Sequence, residues 1–502
     1  MNWFATLSLV LSSLATHAQG IDNLKSKTLD PTAMQADFTY LKNLLQETHP
    51  GLYRYTPKET MLAKMDSSEA LLDKPMPFYD FYKIIVALIA DIHCAHTSSL
   101  PVKNIESYFN GKMKTLPFFL LPLQDKEYVL FNCTDDDSIL PGFELLSING
   151  RSIADIRNTI NRYYWSDGFI EPANNVAFKG QLFDILYYAL IDRPDRFQLS
   201  FRTLKGDTVA YSTAAETFGN YSKNISRNTV NKQMNEWYNK NKPGHPWRLT
   251  FLEDTPATAV LRFDSFGGEG ANTDEEARNV FRTFMDKSMA EIEKHKSSNL
   301  VIDVRSNSGG WDIQGVELFT YLMKSDSAIK YYRRKYAITE NSAFLKFSDL
   351  SAENLKKAKN ELTLEPNGTF TLKEDKNPIL QLQTPKSNRF KGQVYILLNG
   401  ATFSTAAEFT AAAYFNKLGI FVGDESAGAY DGGNGGNFIH LELPNSRIAI
   451  STPLIYYQMN VVDTKLKGRG TIPDYTTPFT FDDFMTHTDS QLEFVKKLII
   501  GK

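Results

Sequence analysis

Asn299-Leu300-Val301-Ile302-Asp303-Val304-Arg305-Ser306-Asn307-Ser308-Gly309-Gly310 is the stretch from which the fold is read. A continuous apolar strand stops at a charged residue, and a glycine pair then lets the backbone turn with its N–H groups exposed before a helix near Asp312. Such a turn points amide donors outward, where they suit a developing oxyanion. A plain strand-to-helix turn, with the glycines serving backbone geometry alone, satisfies the same residues.

A second stretch repeats the pattern: Val394-Tyr395-Ile396-Leu397-Leu398-Asn399-Gly400-Ala401-Thr402-Phe403-Ser404-Thr405-Ala406-Ala407-Glu408-Phe409. A buried strand leads through a tight turn into an Ala-rich helix. Thr405 and Glu408 have the spacing of a capping box, which leaves Ser404 just outside the helix at the positive end of its dipole. Ser404 reads either as a nucleophile or as a further capping residue. Around these two stretches, strands alternate with helices, as at Ala257–Leu261 and at the helix opening with Thr273 and Glu276, so the last part of the chain is α/β.

A serine nucleophile needs a base, because its hydroxyl barely ionises near neutral pH. Of the eight histidines, His17 lies in the leader, while His49, His245 and His295 are expected to be solvated. His440 falls in an alternating strand and His487 in a polar terminal segment. His96 follows a helix end among small and hydroxyl neighbours, a suitable place for a side chain that must reach another domain. His93 and His96 also form a His-x-x-His pair, the spacing of two metal ligands on one turn. No third ligand accompanies them, and a buried His93 bonded to backbone is the preferred reading.

Before these segments the chain has helical period from Asp30 to about Asp91, with Asp30-Pro31 as cap and first turn and apolar stripes at Phe38, Leu41, Leu44, Leu45 and at Phe78, Phe81, Ile84, Ile85, Leu88, Ile89. From about Leu116 to Phe201 short apolar runs alternate with turn signals. The run Phe143–Ile148, entered through Pro141-Gly142 and closed by Asn149-Gly150, is a strand and tight turn. Residues 214 to 246 are rich in Asn, Lys and Ser and read as a linker. The expected division is 1–18 a signal peptide, 19–100 a helical domain carrying His96, 101–213 a β-rich domain, 214–248 a linker and 249–502 an α/β domain.

Composition narrows the function further. A hydrophobic share of 42% supports packed cores, and 55 Lys and Arg against 58 Asp and Glu leave a net charge of −3. No basic stripe is long enough to neutralise a run of phosphates, so nucleic acid is not an expected partner. The apolar run from Trp3 to Ala15, followed by Thr16-His17-Ala18, reads as an export signal, and no later segment has the apolar length of a membrane span. Cys94 and Cys133 are the only cysteines. They exclude a disulfide framework and a Cys-rich zinc site, and whether they pair is open.

Taken together and in order, these segments resemble the serine peptidase family that includes the C-terminal processing (tail-specific) proteases, the tricorn protease core and interphotoreceptor retinoid-binding protein. The matching pieces are His96-Thr97, Gly142 to Gly150, Ile302 to Gly310, Phe403 to Glu408, Gly423 to Gly428 and Gly470-Thr471-Ile472-Pro473-Asp474. The resemblance implies a PDZ-like β-rich domain and a crotonase-like αββ catalytic domain. It also implies Ser404 as nucleophile, with the amides of Gly309, Gly310 and Thr405 as oxyanion donors.

The processing proteases place a Lys after the glycine matching Gly428. Here Ala429 stands there, so that Ser-Lys dyad is excluded. The tricorn-like branch uses a histidine, which His96 matches, but its preceding Ser is Ala95 here. The branch's Glu before the glycine matching Gly470 is Lys467. Asp463 is the candidate to orient His96, and Lys467 is the alternative base if desolvated.

The expected function is an exported, periplasmic or secreted serine peptidase that hydrolyses peptides or unfolded chain ends by acyl transfer, without metal or organic cofactor. One rival is a non-catalytic binder of peptides or apolar ligands. The other is an esterase, against which the absence of a Gly-x-Ser-x-Gly elbow around Ser404 argues.

Overall fold

Helix α1 (Pro31–Thr48) starts as its sequence dictates: the Asp30 side chain accepts from the Ala33 N–H and Pro31 takes the first position. In this computed structural model, described for residues 24–104, 113–164, 166–174, 180–240, 244–267, 269–462 and 466–501, α1 packs with α2 (Lys58–Glu69) and α3 (Phe78–Ala90) through Phe38, Leu41, Met61, Met65, Phe81 and Ile85. The export signal expected over residues 1–18 lies outside the described residues. No described helix is long and apolar enough to cross a membrane.

An antiparallel sheet follows, with β1 (Phe118–Leu123), β2 (Lys126–Asn132), β3 (Glu144–Ile148), β4 (Arg196–Arg202) and β5 (Thr208–Ala214) in the order β5-β4-β3-β2-β1 and the short strand Arg151–Ser152 pairing β3. Strand β3 closes at Asn149 and Gly150, both with positive φ, as the Asn-Gly signal requires. Helices α4 (Ile153–Ile160) and α5 (Gln181–Leu190) cover this sheet. Their apolar residues join those of α1 to α3 in one continuous core, so residue 100 is not a boundary between cores.

The linker expected over residues 214–248 is a correction. Helices α6 (Phe218–Arg227) and α7 (Lys232–Lys240) occupy it, and Tyr221 and Met234 are buried against Phe119, Phe131 and Cys133. Two well-placed apolar side chains anchor a segment whose surface is otherwise polar, and such sparse burial leaves little periodicity to read. Cys133 and Cys94 are both buried free thiols.

The C-terminal half is built on a six-stranded sheet. Its members are β6 (Trp247–Phe251), β7 (Thr258–Phe263), β8 (Asn299–Asp303), β10 (Gln393–Leu398), β11 (Ile420–Gly423) and β14 (Tyr475–Thr476), in that spatial order. Only β6 is antiparallel to its neighbour. Alternate residues face opposite layers. Leu300, Ile302, Ile396 and Leu398 pack with helices α8 (Asp274–Lys294), α9 (Asp312–Thr320) and α10 (Thr405–Phe415), whereas Val301, Tyr395, Leu397 and Val422 meet α11 (Ser490–Ile500).

A third sheet places β13 (Ala449–Met459) between β9 (Tyr332–Ala337) and β12 (Gly432–Glu442). The short strand Ser98–Leu100 from the N-terminal part also pairs with β13, with Ser98 opposite Ser451 and Leu100 opposite Ala449. The chain is thus a mixed α/β protein with several sheets.

Arg305, just past β8, ties the layers together. It bonds Asp303 at 2.6 and 2.9 Å and Asp489 at the start of α11 at 2.7 and 2.8 Å. Asp303 is buried, yet Arg262 and Arg305 overcome its desolvation and hold it below the usual carboxylate range. Removing one partner of such a network strands a buried charge. We expect Arg305→Ala to lower unfolding free energy by about 3–5 kcal/mol, read by urea denaturation; a loss under about 1 kcal/mol would mean the network is solvated.

Candidate active site

The loop Ser306–Trp311 and the turn Asn399–Ser404 lie side by side because β8 and β10 are parallel neighbours. Asn399 Oδ1 accepts from Ser306 N–H at 2.9 Å, and Phe403 N–H donates to Asn307 O at 2.9 Å. These bonds fasten the two loops. Gly309 then approaches so closely that a Cβ on it would stand 2.6 Å from Ser404 Cβ and 3.0 Å from Thr405 N. With φ at +100° as well, only glycine fits there without strain.

Ser404 is the residue before the first turn of α10, with φ 53° and ψ −131°. The expected Thr405–Glu408 capping box is a correction, since the Ser404 backbone enters the helix by a left-handed step that leaves no side-chain cap. Thr405 Oγ1 donates to Gly310 O at 2.9 Å, and Glu408 Oε2 accepts from Tyr332 Oη at 2.6 Å. The glutamate is buried there and pushed up to about 7.

His96 meets this serine. Its Nε2 stands 3.3 Å from Ser404 Oγ, and its ring stacks on Phe403 with centroids 4.5 Å apart. The route is short: α3 ends at Ala90 with Asp91 as its cap, His93 turns the chain with φ 55°, and the strand Ser98–Leu100 anchors the far side. The ring is partly buried, and its Nδ1 is fully buried with no hydrogen-bond partner among the described residues. Burial pushes the imidazole below its ordinary range while the nearby Asp167 carboxylate pulls it back. The net direction keeps it neutral, ready to accept a proton at Nε2.

Of the three expected amide donors, Gly309 already gives its N–H to Asn307 Oδ1 at 2.8 Å. Gly310 is exposed, and neither its N–H nor that of Thr405 donates to another group among the described residues. Asp463 lies outside the described residues. Lys467 is exposed and is not joined to His96 or Ser404 by a hydrogen bond or ion pair. Among the described residues no three His, Cys, Asp or Glu side chains are grouped to hold a metal ion. His93 is half-buried, with Phe169 and Tyr55 against its ring.

His49 is the histidine whose expected place was wrong. Rather than being solvated, it is fully buried, with Nε2 2.8 Å from Thr97 Oγ1 and Nδ1 accepting from Gly51 N–H at 3.0 Å. It braces the loop that carries His96. Asp167 and Arg54 gave no sequence signal, because Ser166-Asp167-Gly168 reads only as a turn and Arg54 as a surface cation. In the fold Asp167 is buried and accepts from Ala95 N–H at 2.8 Å. Arg54 pairs with Asp431 at 2.5 Å between the rings of Tyr55 and Tyr456.

Residues 257–477 match Peptidase family S41. Mature CPAF complexed with lactacystin has a similar fold, with a TM-score of 0.60 and 15% identity over 94% of this chain and 99% of that one. Mature CPAF gives 0.58 and 16% over 94% and 98%. No curated protein matches the chain by sequence.

Two outcomes test this geometry. Gly309→Ala should lose about 1–3 kcal/mol of stability in urea, since the added methyl meets Ser404; an unchanged midpoint would refute the close approach. Burial lowers His49 to about 3. Below about pH 6.5 the unfolded chain binds a proton that the folded one refuses, so stability falls on acidification toward pH 3 by up to about 1.4 kcal/mol per pH unit. His49→Gln should flatten that slope in urea melts taken across the range, and an unaltered slope would show that His49 is solvated.

Proposed function

We propose, from the match of residues 257–477 to Peptidase family S41, that the chain is a serine-type peptidase in which Ser404 is the nucleophile and His96 the general base. The observation that carries this reading is the approach of His96 Nε2 to Ser404 Oγ at 3.3 Å beside the exposed Gly310 amide. Phe403 against one face of the imidazole limits its hydration, which strengthens the interactions that charge separation needs.

As a peptide carbonyl is attacked, Ser404 Oγ forms the new C–O bond and its proton passes to His96 Nε2. The carbonyl oxygen takes up negative charge, and the N–H groups of Gly310 and Thr405, at the positive end of α10, receive it. The imidazolium then gives its proton to the leaving amine. Water deprotonated by the same nitrogen releases the acyl group and restores Ser404. Gly309 contributes by fitting under Ser404, because its own N–H is committed to Asn307.

Residues 249–502 serve as the crotonase-like catalytic domain in this reading. Residues 101–213 serve as the PDZ-like domain, with α6 and α7 packed on it in place of a linker, and residues up to 100 supply the base. Residues 1–18 direct export, and the substrates are peptides or unfolded chain ends outside the cytoplasm.

A fluorophosphonate probe should label the wild type at Ser404 and leave Ser404→Ala unlabelled. Peptide hydrolysis should fall by about 10³-fold or more in Ser404→Ala and His96→Ala. Equal turnover in all three proteins rules the mechanism out, and a wild type that binds peptide but is never labelled is a binder instead. In the active protein kcat/KM should fall on acidification with a midpoint below about 6.5, the ordinary histidine value.

A further inference from the structure

The described residues leave the base without an obvious orienting group. Among the described residues His96 Nδ1 is buried with no acceptor, although a neutral imidazole that takes a proton at Nε2 must carry its own on Nδ1. Asp463 is outside the described residues and Lys467 carries the wrong charge. One carboxylate acts on the ring from elsewhere in the chain. Asp167 comes from the segment after α4, is buried, and accepts from Ala95 N–H, the peptide immediately before His96, at 2.8 Å.

The same carboxylate also accepts from the Ala429 backbone. Ala429 follows Gly428, which lies against the serine loop so closely that a Cβ there would be 3.5 Å from Ser404 N. Asp167 therefore bridges the two loops that must be held in register, one carrying the base and the other lying beside the nucleophile. Gly433 on β12 closes over its Oδ2, where an added Cβ would stand 3.2 Å away, and Gly435 two residues on faces His96 Nε2.

We propose that Asp167 is the positioning residue of His96: it fixes the base loop through Ala95 and supplies the negative charge that stabilises the imidazolium formed when Ser404 gives up its proton. Asp167 takes up no proton itself: each transferred proton, from Ser404 Oγ to the leaving amine and later from water back to Ser404, passes through His96 Nε2.

The groups around it agree with this role. Burial raises the Asp167 pKa, and His96, the Ala95 and Ala429 amides and Arg54 oppose that rise. Tyr55, Cys94 and Glu408 also feel its charge, and for each of them burial and that charge together favour the neutral form. Among the described residues the ionised partners facing Asp167 are thus Arg54, already paired with Asp431, and His96 once protonated.

This inference rests on the peptidase reading for its consequence in turnover but not for its physical test. Asp167→Asn keeps an oxygen acceptor for Ala95 and removes the charge. In wild type and variant carrying labelled histidine, NMR titration should place His96 about one pH unit lower in Asp167→Asn, since a near carboxylate favours the charged ring. Turnover should fall about tenfold while the acid limb of kcat/KM moves to lower pH, opposite signs that a loosened loop would not produce.

An Asp167→Asn protein with wild-type titration and rate overturns the proposal, leaving the carboxylate as a loop brace. If the wild type hydrolyses nothing yet the His96 shift appears, the pairing stands and the peptidase reading fails. Should the variant not fold, the wild-type Asp167 carboxyl carbon is titrated instead. It must show a second inflection at the His96 midpoint, and a carboxyl blind to that ionisation equally overturns the idea.

Discussion

The antiparallel pairing of Ser98–Leu100 with Ala449–Ser451 is the contact on which the rest of the site depends. It brings a segment that leaves α3 onto the hairpin of β12 and β13, and His96 sits two residues before it. Other bonds hold the same junction. The Asp37 carboxylate on α1 accepts from the N–H groups of Asn445 and Ser446 at 2.9 and 2.7 Å, and Tyr82 Oη donates to Ser99 O at 2.9 Å. Each contributes about 1 kcal/mol net. Together with apolar residues of β12 and β13, Ile439, Leu441, Ile450 and Leu454, which share the core of α1 to α3, they leave the junction no easy hinge.

On the Ser404 side the same economy appears in the backbone. A non-glycine residue in a left-handed conformation costs about 1–3 kcal/mol and survives only where its surroundings over-determine it. Ser404 has that support from Phe403 N–H on Asn307 O before it, Glu408 N–H on Ser404 O after it, and Ala427 N–H on Thr402 O beneath it. The strain aims Oγ away from the helix it precedes, so the hydroxyl is offered to the imidazole instead of capping α10.

Much of this was legible in the residues. The strands at Leu300–Asp303 and Val394–Leu398 announce themselves because buried parallel strands need unbroken apolar runs, and the glycines and turn residues that follow mark where loops gather at one edge. Ser404 and His96 were singled out from those surroundings, and the structure brings their side chains together. Asp167, Arg54 and His49 were not legible because their character comes from burial and partners far along the chain, and a turn aspartate or a loop histidine has no periodicity to betray it. The capping spacing at Thr405 misled for a related reason. Tyr332 and Gly310, distant in sequence, offer Glu408 and Thr405 better partners than the helix end does.

The span between His96 and Ser404 is 308 residues, and the hairpin that docks the histidine is completed only after Met459. A ribosome that has released the serine has therefore not yet released the strand that delivers its partner. Contacts this distant in sequence close late and slowly during folding. The nascent polypeptide accordingly waits through some 308 residues of synthesis with the imidazole unpaired, and the two halves of the pair become one device only after Ala449–Met459 has emerged.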